Sequence, residues 1–170
     1  MNYSGIKKYD ISNGPGIRMS LYVSGCTHHC KGCFNPTTWN FNSGNEWTQE
    51  VEDKFIEDCK DDKITGVSIL GGEPLQQDFM TMYNLLQRIK KETNKPIWLW
   101  TGYRINEIPY MMTILISTFV DVLIDGQFEM DKKDLKLKYC GSTNQRVIDI
   151  KQTLKSVEKG KGEIILYEQA

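Results

Sequence analysis

The sequence predicts an α/β fold, an open partial (β/α) barrel, on three observations. Short apolar runs alternate with amphipathic helical stretches, without repeats or low-complexity tracts. The loops richest in Gly, Cys and Asp each follow one of those runs, as in sheets that carry their chemistry at the carboxyl ends of the strands. The 170 residues hold too few strand–helix units to close an eight-stranded barrel, which takes ~250 residues.

Taken in order, Asn13-Gly14-Pro15-Gly16 reads as a tight turn leading into a first strand, Arg18 to Ser24, and then a cysteine loop. Thr48 to Lys60 reads as a helix with Val51, Phe55, Ile56 and Cys59 on one face. Thr48 is its N-cap, and Glu50 and Glu52 suit the positive end of the helix. Val67 to Leu70 is a short buried strand ending in Gly71-Gly72, and Phe79, Met82, Tyr83, Leu86 and Ile89 mark the next helix. Ile97 to Trp100 and Val120 to Ile124 are two further buried strands, separated by a helix that begins near Pro109. Arg146 to Ile150 and Glu163 to Tyr167 are weaker strand candidates. Repeated units of this kind imply a parallel sheet with right-handed crossovers, in a single domain over residues 1–170. The cysteine loop, Gly71-Gly72-Glu73-Pro74, Thr101-Gly102-Tyr103 and Asp125-Gly126 then share one rim.

Lys plus Arg number 21 against 22 Asp plus Glu, so no strong field argues for nucleic acid or an anionic membrane surface. No signal core is present and no stretch approaches the roughly 18 apolar residues of a membrane span, which predicts a cytoplasmic protein. The five cysteines stand at 26, 30, 33, 59 and 140; in a reducing compartment the crowding of the first three reads as metal or cofactor ligation rather than a disulfide framework.

Cys26, Cys30 and Cys33 present three thiolates on a loop whose Gly25 and Gly32 let the backbone fold tightly around a bulky inorganic cluster. An electron-transfer [4Fe–4S] cluster takes four cysteines, whereas three leave one iron open to a small molecule. The competing arrangement is a zinc site, Cys₃His, completed by His28 or His29. His28 is otherwise expected to pack or hydrogen-bond within the loop, and His29 to face solvent. Cys59 reads as a small hydrophobe on its helix and Cys140 receives no role. Trp39, Trp47, Trp98 and Trp100 read as packing residues. In the Gly71-Gly72-Glu73-Pro74 loop the glycines let backbone approach a ligand edge while Glu73 orients the loop. Asp125 either caps a turn or, at a strand end on the rim, binds ribose hydroxyls or a cation.

Together, Cys-x₃-Cys-x₂-Cys after one strand and Gly-Gly-Glu-Pro after the next resembles the radical S-adenosylmethionine superfamily. A closer resemblance, to the glycyl-radical-enzyme activases of anaerobic ribonucleoside-triphosphate reductases, runs through most of the chain. It is carried by Asn13-Gly14-Pro15-Gly16-Ile17-Arg18, Val23-Ser24-Gly25-Cys26, Gly32-Cys33-Phe34-Asn35, Trp100-Thr101-Gly102-Tyr103, Asp125-Gly126-Gln127-Phe128 and Gly141-Ser142-Thr143-Asn144-Gln145-Arg146. The resemblance implies a partial barrel of the radical S-adenosylmethionine type, with Cys26, Cys30 and Cys33 on a [4Fe–4S] cluster. It puts Gly71, Gly72, Glu73, Thr101 and Asp125 beside S-adenosylmethionine, and the adenine against the backbone around Gly32 and Cys33 and against Phe34. No further catalytic residue is assigned. The implied activity is reductive cleavage of S-adenosylmethionine to place a glycyl radical on the reductase, with a small electron donor such as flavodoxin as second partner. The chain departs from the activase pattern at Cys140, where arginine is common, since a thiol cannot reproduce a guanidinium fork. The same two core motifs also occur in radical enzymes acting on small, pterin-like molecules, and a non-catalytic zinc-binding module is the alternative of a different class.

Overall fold

Period-two alternation along short strands sets the architecture. The computed structural model describes residues 1–168. Strands β1 (Asn2–Asp10), β2 (Arg18–Val23), β3 (Asn45–Glu46), β4 (Gly66–Gly71), β5 (Ile97–Trp100), β6 (Val122–Asp125) and β7 (Arg146–Asp149) form one sheet in the order β3-β1-β2-β4-β5-β6-β7. Helices α1 (Gln49–Cys59), α2 (Phe79–Thr93), α3 (Tyr110–Phe119) and α4 (Ile150–Glu158) complete the chain. The sheet is open, ending at β3 on one side and β7 on the other.

Met19, Leu21 and Val23 of β2, Val67 and Ile69 of β4, and Ile97 and Leu99 of β5 share one buried core with Phe55, Leu86 and Leu115 of the helices. Each such side chain contributes about 1.5–3 kcal/mol by leaving water. The intervening residues face the other way, where Trp98, Val122 and Ile124 form a second, smaller cluster. Arg18 belongs to this face. Its guanidinium is buried, donates from Nε to Ser68 Oγ (2.7 Å) and from Nη2 to the Val67 carbonyl (2.7 Å), and lies 5.3 Å from the Trp98 ring. It thereby links β2 to β4, and burial pushes its pKa down to about 10.

The helix signals act as their residue types require. Thr48 Oγ1 accepts from the Val51 N–H (3.4 Å), Asp78 caps α2 through the Thr81 N–H (2.8 Å), and α3 starts directly after Pro109. The expectation of a parallel sheet holds for β2, β4, β5 and β6 and fails at both margins. β1 pairs antiparallel with β2, β3 with β1, and β7 with β6. No crossover helix separates β6 from β7, which removes the reason for parallel pairing. Glu163 to Tyr167 does not form a strand; it makes one bridge, Ile148 to Leu166. Val120 caps α3, so the strand expected from Val120 begins instead at Val122.

Candidate metal centre

The carboxyl ends of β2, β4 and β5 open on a cavity of about 620 Å³. Cys26, Cys30 and Cys33 stand on its wall with Gly71, Gly72 and Glu73. Backbone bonds stitch the cysteine loop in place from two sides. The Gly25 and Cys26 N–H groups donate to the Thr38 and Trp39 carbonyls (2.7 and 3.0 Å), while the Gly25 carbonyl accepts the Glu73 N–H (2.8 Å). Gly72 has no room for a side chain: a Cβ there would sit 2.5 Å from the Gly25 carbonyl oxygen. The two motifs are therefore in backbone contact, and bulk at Gly72 would press on the cysteine loop itself.

All five cysteines are free thiols. Burial pushes Cys26 and Cys30 above the usual thiol range. Among the described residues no three His, Cys, Asp or Glu side chains converge on a single ion position. His29 lies against the Trp39 ring (4.7 Å) and His28 has Nε2 3.1 Å from Glu73 Oε2. No Cys₃His set is assembled around one ion position among the described residues. Three separated thiols on one wall suit a polynuclear cluster, which presents a different iron to each sulfur. Gly72 lines the cavity, and its carbonyl oxygen accepts no hydrogen bond from the described residues.

The Glu73 carboxylate is buried and fully engaged by protein. Oε1 accepts the Leu75 N–H (3.0 Å), and Oε2 accepts the Gly102 N–H (2.7 Å) and faces His28. These bonds tie the loop to the turn at Leu75 and to Gly102, and Gly71 and Gly72 line the cavity with Glu73. Thr101 is on the wall with its Oγ1 accepting the Tyr103 N–H (3.1 Å). Phe34 stands half exposed at the rim against Phe128 (4.9 Å between rings). Gly32 is off the wall and faces Met130.

Asp125 is wholly buried and also off the wall. Its carboxylate is gripped by Arg146 through Nε (2.9 Å) and Nη2, with Arg104 at 3.4 Å and the Ile105 N–H at 3.0 Å. Its oxygens thus point into a guanidinium fork, and the neighbouring Gly126 is what reaches the cavity. Cys59 is in the helical core and burial raises its pKa to about 12. Cys140 lines the cavity, with its thiol pushed up to about 11 by burial.

Sequence reasoning missed a set of contacts joining the loops. Gln76 binds Thr27 and the Tyr103 hydroxyl (2.8 and 3.0 Å), and Gln127 Nε2 lies 3.0 Å from His28 Nδ1. These partners are up to 99 positions apart, so no local pattern announces them.

The family described as "4Fe-4S single cluster domain" matches residues 12–148. A protein of Vibrio cholerae named anaerobic ribonucleoside-triphosphate reductase-activating protein is 45% identical over 149 residues, covering 85% of this chain and 96% of its own length. A protein of the same name from Escherichia coli K12 is 44% identical, covering 86% and 97% of the two chains, and one from Enterobacteria phage T4 is 38% identical, covering 86% and 93%. Since a four-iron family spans the cavity-forming segments and relatives of one name align along almost their whole length, this chain belongs to the family of anaerobic ribonucleoside-triphosphate reductase-activating proteins.

Proposed function

We propose that the chain activates an anaerobic ribonucleoside-triphosphate reductase by radical S-adenosylmethionine chemistry, placing a glycyl radical on it. The observation that carries this reading is one cavity whose wall joins the three closely spaced free cysteines of the loop after β2 to the Gly71-Gly72-Glu73 loop after β4. When bound, the [4Fe–4S] cluster supplies the electron that cleaves S-adenosylmethionine to methionine and a 5′-deoxyadenosyl radical.

The protein's own part is holding, orienting and excluding water. Cys26, Cys30 and Cys33 hold the cluster, and the Gly72 carbonyl receives the cosubstrate ammonium. Thr101, the backbone at Cys33 next to Gly32, and the Phe34 ring border the nucleoside. Asp125 acts from behind this surface through Arg146 and the Ile105 N–H. The open sheet serves as a partial barrel in one domain, and its mouth needs covering by the reductase, because a primary carbon radical attacks any hydrogen donor within reach. Glycine is the fitting target since it lacks a side chain that would block approach. A small protein such as flavodoxin would supply the electron, and a reducing cytoplasm suits five free thiols. No helix of the structure is long and apolar enough to cross a membrane, and the near-neutral charge offers nothing to nucleic acid.

The test is anaerobic reconstitution with iron and sulfide, followed by reduction with S-adenosylmethionine and a cognate reductase. About four irons per chain, released 5′-deoxyadenosine and a paramagnetic doublet from the remaining glycine α-hydrogen are expected. Stoichiometric zinc without iron uptake would exclude the reading; 5′-deoxyadenosine without a protein radical would keep the chemistry and remove the activase role.

A further inference from the structure

We propose that His28 is a positioning residue that fixes the cysteine loop relative to the Gly71-Gly72-Glu73 loop, and so sets the site for S-adenosylmethionine; this rests on the reading above. Lying between Cys26 and Cys30, its ring is nine-tenths buried and is gripped at both nitrogens. The Gln127 amide nitrogen, 3.0 Å from Nδ1, can only donate, so Nδ1 accepts. The ring proton is then on Nε2, which donates to Glu73 Oε2 at 3.1 Å. That same oxygen accepts the Gly102 N–H at 2.7 Å.

One imidazole therefore joins the cysteine loop to the loops that follow β4, β5 and β6. The fit is close as well as polar. A Cβ on Gly102 would lie 2.5 Å from His28 Cδ2, and the Tyr103 ring meets the imidazole edge-on with centroids 4.7 Å apart. The polar neighbours of His28 in the loop do not make this bridge: Thr27 bonds to Gln76, Lys31 is exposed, and His29 lies tilted against Trp39. Because Glu73 is the shared acceptor, any shift of the ring is passed to the Gly71-Gly72-Glu73 loop, which lines the same cavity as the three cysteines. Outer contacts of this type orient the groups that touch metal or ligand, and losing one costs about 10–100-fold in affinity.

Two variants separate positioning from packing. His28→Leu keeps apolar bulk and removes both hydrogen bonds; His28→Gln places an amide where Nε2 donates to Glu73. In the reconstituted protein both should keep about four irons per chain. His28→Leu should bind S-adenosylmethionine about 10–100-fold more weakly by calorimetry, and the cosubstrate-induced change in the paramagnetic spectrum of the reduced cluster should shrink. His28→Gln should recover most of both. If His28→Leu melts lower yet binds within twofold of wild type with an unchanged spectrum, the ring only packs and the proposal fails. Iron loss in both variants would place His28 on the cluster itself and also overturn it. Should the wild type take up no iron, the radical reading fails first. The bridge is then judged in the metal-free chain by amide exchange: faster exchange at Gly102 in His28→Leu upholds it, an unchanged rate ends it.

Discussion

Replacing Arg146 with methionine tests whether Asp125 is a structural anchor or part of the cosubstrate surface. The Asp125 carboxylate is fully buried, whereas Arg146 is about one-third exposed and bonds both oxygens. Unit charges about 4 Å apart attract by ~4 kcal/mol at an effective dielectric constant of 20. The cost of desolvating them cancels part of that. After the substitution Arg104 is still 3.4 Å away and the Ile105 N–H still donates, so the carboxylate is weakened rather than stranded. We expect a loss of about 2–3 kcal/mol, below the 3–5 typical of an abandoned buried charge. At this chain length that lowers the melting temperature by roughly 5–10 °C. The assay is anaerobic thermal and urea denaturation of the metal-free chain, followed by circular dichroism, on Arg146→Met, Asp125→Asn and the double variant. A coupling of at least about 1 kcal/mol between the two sites is expected. Coupling near zero, or Asp125→Asn that folds as stably as wild type but no longer binds S-adenosylmethionine, would refute the anchoring role.

Three further outcomes follow from the geometry. Burial pushes the Asp10 carboxyl up, but bonds from Ser20, the Ser12 N–H and Asn13 outweigh it and hold it at about 2. A carboxyl held below its ordinary value stabilises fully above about pH 4 and loses that stabilisation as pH falls toward 2. The stability gap between wild type and Asp10→Asn should therefore shrink by about 2 kcal/mol across that window. A gap independent of pH in urea titrations would contradict this. Cys59→Ala should cost about 1 kcal/mol by deleting a buried sulfur and leave iron content untouched; loss of cluster absorption in the folded variant would add Cys59 to the ligands. Gly72→Val should impair iron uptake as well as cosubstrate binding, because its Cβ meets the Gly25 backbone; full iron with weakened binding would show that the cysteine loop yields freely.

The helices α1, α2 and α3 were legible because their apolar residues recur at helical spacing and Thr48 and Pro109 mark two of their starts. The four central strands were legible as short apolar runs. β1 was not: Asn2-Tyr3-Ser4-Gly5-Ile6-Lys7-Lys8-Tyr9-Asp10 is mostly polar and only Asp10 of it is buried, so neither hydrophobicity nor alternation marks it, and pairing with β2 and β3 makes it a strand. α4 was overlooked: only its first residue, Ile150, entered the reading, as the end of the strand candidate Arg146 to Ile150, although Asp149 caps it by accepting the Gln152 N–H at 2.9 Å. At the site, the cysteine spacing and the Gly-Gly-Glu run are local signals and could be read directly. The burial of Asp125 under Arg146 and the bridge through His28 depend on which loops meet, and one-dimensional spacing carries no record of that.

Two of the four tryptophans, Trp39 and Trp100, look into the same cavity as Cys26, Cys30 and Cys33, while Trp47 is packed against Phe55 on the helical side of the sheet. Iron–sulfur clusters absorb broadly where indole emits. The chain thus carries its own optical gauge: a cluster filling the cavity would quench indole emission, with Trp39 and Trp100 on the cavity wall itself. Occupancy could be followed by fluorescence during reconstitution or exposure to air, without a label.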